Sequence, residues 1–273
     1  MSLIQDFDDT IETMTFCLPD FKVCTTTVSF RLSNVYVGNL DQFKEIFNSI
    51  ADDFNVWIAQ NFSCGVMRLR DSGNFRNGIE FEFAKVVEGK KKPSKKAVKL
   101  FGNGSLHITG CQTLQDSEVL ATILIKLLSL VLQREDIEKS EVKIDMINTV
   151  FKLLHKVNAI ETVQNLSTAV QQINMPCSVT YDKARFAAVN IKIGVEKAYL
   201  CTFFVRANGT VQMSGVKGLD ALKMFTELFS NTFAPALCPD LTPEVPKVPK
   251  KRGRKRKIED ATFYDELRNN LDV

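Results

Sequence analysis

Two histidines, His107 and His155, are all the imidazole that 273 residues contain. Neither stands in a zinc-ligand or catalytic-triad spacing, and His107 lies inside a strand-like run where packing accounts for it, so an enzyme is not expected. Seven cysteines, an odd number without a Cys-x-x-Cys pair, supply neither a disulfide framework nor a zinc site. They read as reduced, buried small hydrophobes, with no metal or cofactor implied. Long apolar runs are missing too. The best, "VLATILIKLLSLVL" at 119–132, is interrupted by Lys126 and is too short to cross a bilayer. Where a secretory signal needs a basic start and an apolar run, the chain has Asp6, Asp8, Asp9 and Glu12. The expectation is a soluble intracellular protein with no membrane partner and no small-molecule substrate.

What is present is apolar and unevenly charged. Hydrophobic side chains make up 45% of the chain and twenty of them are phenylalanine, enough for a substantial core. Residues 242–257 carry eight basic groups and one acid, a charge of +7, and residues 258–273 carry five acids and one base, a charge of −4. Together they account for the whole net charge of +3, which leaves a neutral body with a basic leash.

Periodicity divides the body into two similar runs. Strand-like residues 23–32 lead to a helical stretch at 40–51, then to strand-like segments at 64–69, 79–87, 97–102 and 105–110, and to a helix from about Asp116 to Leu132. The same order restarts at Val142: a strand, a helix at 159–173, strands at 177–181, 185–193, 198–206 and 210–215, and a helix at 219–229. Two copies of β-α-β-β-β-β-α therefore fill residues 20–233, predicting an α+β fold with helices on one face of an antiparallel sheet. The predicted divisions are an acidic segment at 1–19, repeats at 20–135 and 141–233, and a Pro-rich linker and basic tail at 234–273. The terminal "ATFYDELRNNL" reads as a short helix formed on a partner.

The duplication has a sequence signature. "LFGNGSLHITG" at 100–110 is echoed by "FFVRANGTVQMSG" at 203–215, and "RFAAV" stands at 185–189. In these residues and in the duplicated order, over about 210 positions, the chain resembles the TATA-box-binding protein family. The resemblance implies a saddle-shaped, pseudo-symmetric pair of repeats whose concave sheet binds and bends AT-rich double-stranded DNA through the minor groove. It also implies a role in transcription initiation, in the nucleus or a viral replication compartment, with initiation factors or RNA polymerase as partners. Such divergence resembles a homologue from a large DNA virus or a distant protist.

Carried over residue by residue, the family's two phenylalanine wedges fall on Phe186 with Phe204 and on Phe83 with Phe101, both pairs eighteen positions apart. Phe62 rivals Phe83, and Arg206 rivals Phe204 when counted from the turn glycine. The central polar contacts to the groove floor fall on Asn148, Thr109 and Ser214, with Thr25 where the first-half Asn would be. Lys192 and Lys217 occupy phosphate-contacting positions, whereas Ser105 and Thr210 replace the lysine that the family carries after each turn glycine. The loop "YDKA" lacks the family's acidic pair for the next initiation factor, and "RDSGNFRNG" is longer than its counterpart. The tail residues Lys250, Lys251, Arg252, Arg254, Lys255, Arg256 and Lys257 read as a nuclear-localisation signal or as a minor-groove arm around Arg-Gly-Arg. Lys90, Lys91, Lys92, Lys95 and Lys96 cluster in one hairpin, able to touch flanking phosphates or simply solvated.

Overall fold

The computed structural model describes residues 2–70, 78–88, 93–195 and 198–241. Element by element the order is α1 (Leu3–Cys17), β1 (Lys22–Arg31), α2 (Leu40–Asn61), β2 (Val66–Arg70), β3 (Gly78–Lys85), β4 (Ser94–Phe101), β5 (Ser105–Cys111) and α3 (Leu114–Leu132). It then repeats as β6 (Lys143–Lys152), α4 (Ala159–Ala169), β7 (Cys177–Asp182), β8 (Phe186–Val195), β9 (Ala198–Arg206), β10 (Thr210–Val216) and α5 (Leu219–Leu228).

All ten strands join one curved antiparallel sheet in the order β2-β3-β4-β5-β1-β6-β10-β9-β8-β7. The two runs meet where β1 lies beside β6, with Thr25 opposite Asn148. The Asn-Gly turns repeat down to single bonds. Asn103 and Asn208 each accept the amide of the residue two positions on. The carbonyls of Gly104 and Gly209 accept from Leu32 and Leu153, the residues just past β1 and β6. Both glycines have φ near +80°, and a Cβ there would collide with the carbonyl of Leu32 or His155, so only glycine closes these hairpins this way.

The core lies on the helix-covered face. In β3, Ile79, Phe81 and Phe83 point to it at one-residue alternation, and Phe81 packs edge-on against Phe43 and Phe47 of α2. In the second half Phe203 of β9 meets Phe229 and Phe233, which continue α5 through a π turn. Helix α3 is capped by the Thr113 hydroxyl, which accepts from the Asp116 amide, and buries Leu120, Ile123, Leu124, Leu127 and Leu128 along one stripe.

Two elements exceed the sequence expectation. Residues 3–17, read only as an acidic segment, form α1; Ser2 caps it, and Phe7 and Met14 are buried. Helix α2 runs on from 51 to Asn61, burying Phe54 and Ile58, and is 22 residues long against 11 for its counterpart α4. Helix α1 packs against α3, α5 and β1, so it touches both halves of the molecule.

Candidate nucleic-acid interface

The face of the sheet opposite the helices carries the predicted contact residues, and it differs between the halves. In the second half, the register pairs Arg206 with Ala188 and Phe204 with Asn190, which puts Phe186, Phe204 and Arg206 on that face together. The Phe186 and Phe204 rings meet edge-on with centroids 5.3 Å apart, and the Arg206 guanidinium lies 5.4 Å from the Phe186 centroid. Phe186 is 40% exposed, although strand packing buries most large apolar side chains here. The alternatives Phe204 and Arg206 are thus two neighbours in one patch. Lys192 is on the same face, opposite Thr202, and Lys217 is exposed in the turn that leads into α5.

At the seam three of the four predicted polar residues form a hydrogen-bonded chain. The Asn148 amide nitrogen donates to Thr25 Oγ1 at 2.9 Å, and Ser214 Oγ donates to Asn148 Oδ1 at 2.6 Å. The Gly215 amide donates to the same Oδ1 at 3.1 Å. A backbone N–H can only donate, so this bond fixes which way the Asn148 amide points. One Asn148 N–H and the Thr25 O–H remain as donors on the exposed side. Thr109 shares the face, opposite Thr27 of β1 and Ala97 of β4. Beneath the seam, on the core side, the hydroxyls of Thr26 and Thr149 are buried without a hydrogen-bond partner among the described residues.

In the first half the predicted wedge is corrected. Phe83 is 0% exposed and sits in the core beside Phe81, on the wrong side of the sheet for any contact with a groove. Its rival Phe62 caps α2 and packs on Trp57, so it too is a packing residue. Phe101 does lie on the exposed face, its ring 5.1 Å from the His107 ring and edge-on to it. His107 therefore takes part in the surface and not merely in strand packing.

The rest of that half is charged. Glu80 and Glu82 alternate with the core residues of β3 and are held by cations on both flanking strands. Arg68 donates twice to Glu82, through Nε at 3.0 Å and Nη2 at 2.7 Å, and Lys95 lies 3.3 Å from the same carboxylate. Arg70 donates to Glu80 at 2.9 Å, and Lys99 lies 3.8 Å from its other oxygen. The carboxylates are only 7% and 4% exposed, so the cations cover them. The sequence reading missed this ladder, yet "IEFEFA" signalled it through strict alternation of acid and apolar residues.

Lys96 is turned to the helix side, 2.8 Å from Asp116, and is not available to a phosphate. Lys90, Lys91, Lys92 and the tail residues Lys250 to Lys257 lie outside the described residues. The thiols are shielded: burial pushes Cys111 up to about 12 and Cys177 up to about 11, and raises Cys64 and Cys201. Among the described residues no three His, Cys, Asp or Glu side chains converge as a metal site requires.

No protein-family model and no curated protein matches the chain by sequence. Among solved structures, the TBP of Methanococcus jannaschii is similar over 80% of this chain and 99% of its own length, with a TM-score of 0.50 and 14% sequence identity. A complex of A. aeolicus tRNASec with M. kandleri SerRS covers 79% of this chain and 30% of that one, at a TM-score of 0.30 and 11% identity, too slight a likeness to support an argument. The chain has the saddle fold of a TATA-box-binding protein: a ten-stranded curved sheet, helices on the convex side and an open concave face.

Proposed function

We propose that the open face of the sheet binds AT-rich duplex DNA along the minor groove and bends it, and that the protein acts as a promoter-binding transcription-initiation factor. The observation that carries this reading is the Phe186–Phe204 pair, two rings presented to solvent on stiff adjacent strands beside Arg206. An aromatic ring in that setting replaces part of a broken base stack when a groove is wedged open. The donors left on Asn148 and Thr25 suit a groove floor that offers adenine N3 and thymine O2 as acceptors. The guanine amino group has no place against a close apolar sheet, which favours A·T. The basic tail adds phosphate neutralisation or an address to the nucleus or a viral replication compartment, and initiation factors or RNA polymerase are the proposed protein partners.

A second reading is favoured by the glutamates on the open face and by Ser105 and Thr210, which stand where the resembled family has lysines. It makes the protein a saddle-shaped adaptor without affinity for DNA. Mobility shift on a pool of random duplexes at low salt separates the two. A shifted fraction that enriches for AT-rich sites is expected, and rejected G·C sites should recover when inosine replaces guanine. Folded protein that shifts nothing leaves the adaptor.

A further inference from the structure

The open face carries a matched pair of polar side chains beside its phenylalanines. Each stands three residues past a turn glycine, His107 after Gly104 and Gln212 after Gly209. Their neighbours along the strand, Leu106 and Ile108 or Val211 and Met213, are buried in the core, so both point to the open side. Gln212 is paired across the sheet with Phe204 on β9 and Val150 on β6, two apolar residues. His107 is paired with Lys99 on β4 and Ser29 on β1, and its ring is edge-on to Phe101. Both side chains are half-buried, and among the described residues neither the Gln212 amide nor a His107 nitrogen has a hydrogen-bond partner. Polar groups set in such a surface keep their bonding capacity for a ligand.

We propose that Gln212 and His107 accept the guanine amino group, so that the DNA site prefers a G·C pair at one step on each side of an A·T centre. This rests on the DNA-binding reading above and confines its preference for A·T to the rest of the face. In the minor groove a G·C pair differs from A·T by one feature, the N2 amino donor of guanine. At the seam the groups left over are donors, on Asn148 and Thr25, and an amino group there has nothing to meet. Gln212 instead brings an acceptor, Oε1, and a neutral imidazole at His107 keeps one nitrogen bare. Either can take the amino proton, while Gln212 Nε2 donates to the N3 or O2 acceptor that every pair offers. Over an A·T pair the same acceptor is shut away from water with no donor opposite it, which costs binding.

The test begins with selection from random duplexes by the full chain. AT-rich winners should carry a G·C pair at two steps, equally spaced about their centre. Inosine in place of guanine at either step removes the amino group alone, and it should weaken wild-type binding about fivefold in a competition titration. Gln212→Val puts an apolar side chain over one of the two steps; there inosine should bind better than guanine, while the other step keeps its wild-type response. His107→Val should do the same at the other step. Winners that are A·T throughout, or inosine that leaves wild-type affinity unchanged or raises it, overturn the readout and leave DNA binding intact. So does a Gln212→Val chain, shown to be folded by its thermal melt, that still loses affinity with inosine at both steps. No complex with any duplex overturns the DNA-binding reading, and this inference with it.

Discussion

Phe83 and Phe186 carry the same ring to opposite fates, one wholly inside the core and the other on the open face. Phe83→Ala should cost about 3–5 kcal/mol of folding stability, since it leaves a cavity in the core. Phe186→Ala should cost less than about 1 kcal/mol in the same urea titration, because much of the ring faces solvent in the free protein. Equal losses at the two positions would move Phe186 into the core and remove it from any interface. The equal eighteen-residue spacing of the two candidate pairs conceals the difference. In the first hairpin the register pairs even positions with odd ones, Glu82 with Ala97; in the second it pairs even with even, Asn190 with Phe204. Eighteen residues bring two rings to one face only in the second. Alternation in "IEFEFA" places Phe83 beside Phe81, and that local pattern outweighs the count between pairs. Thr25, Asn148 and Ser214 were singled out by position in the resembled family alone, and their mutual hydrogen bonds depend on a register that no single strand encodes.

Between β2, β3 and β4 the charge ladder sets a test at the scale of elements. Arg68→Ala takes from Glu82, 4% exposed, the guanidinium that donates to it twice. Glu82→Gln takes one carboxylate from Arg68 and Lys95, whose long stems let their charges reach solvent. The arginine change should therefore be the more destabilising, by about 1–3 kcal/mol, as measured by chemical denaturation of both variants. A greater loss from Glu82→Gln would show that the carboxylate is the member the fold depends on. The helices show what an eye for charge overlooks. Ile4, Phe7, Ile11 and Met14 repeat at helical spacing through the acidic start of the chain, and Phe47, Phe54 and Ile58 continue the stripe of α2 beyond residue 51. Strand positions were easier to read, since Asn-Gly turns punctuate them, whereas the closing helix read from about Asp116 begins at Leu114 with Thr113 as its cap.

On the scale of the whole molecule the sheet is continuous, closed on its convex side by helices and held across the middle by α1. The duplication is legible in the sequence because turns and strand lengths repeat; the asymmetry of the open face is not, because it arises from side chains that a repeat template averages away. The seam itself has a consequence for the chain cut in two. Separated there, residues 1–140 present β1 as a bare edge of unpaired amides and carbonyls, a template for another strand. Its natural neighbour β6 is its own structural counterpart, and Thr26 already faces the matching position, Ile147. A second copy of the fragment supplies an edge of the same shape, with Thr26 opposite Thr26 and Thr25 opposite Thr27, favourable cross-strand pairs. Expressed alone, the fragment should run as a dimer in light scattering, and proline at Thr27, which removes an amide from that edge, should return it to monomer or to aggregate. A fragment that stays monomeric and folded would mean that β1 needs no neighbour. The expected dimer is a two-chain copy of the present molecule, so the bond between the halves serves chiefly to let them differ: one chain can hold phenylalanines at one end and glutamates at the other, which no symmetric pair can do.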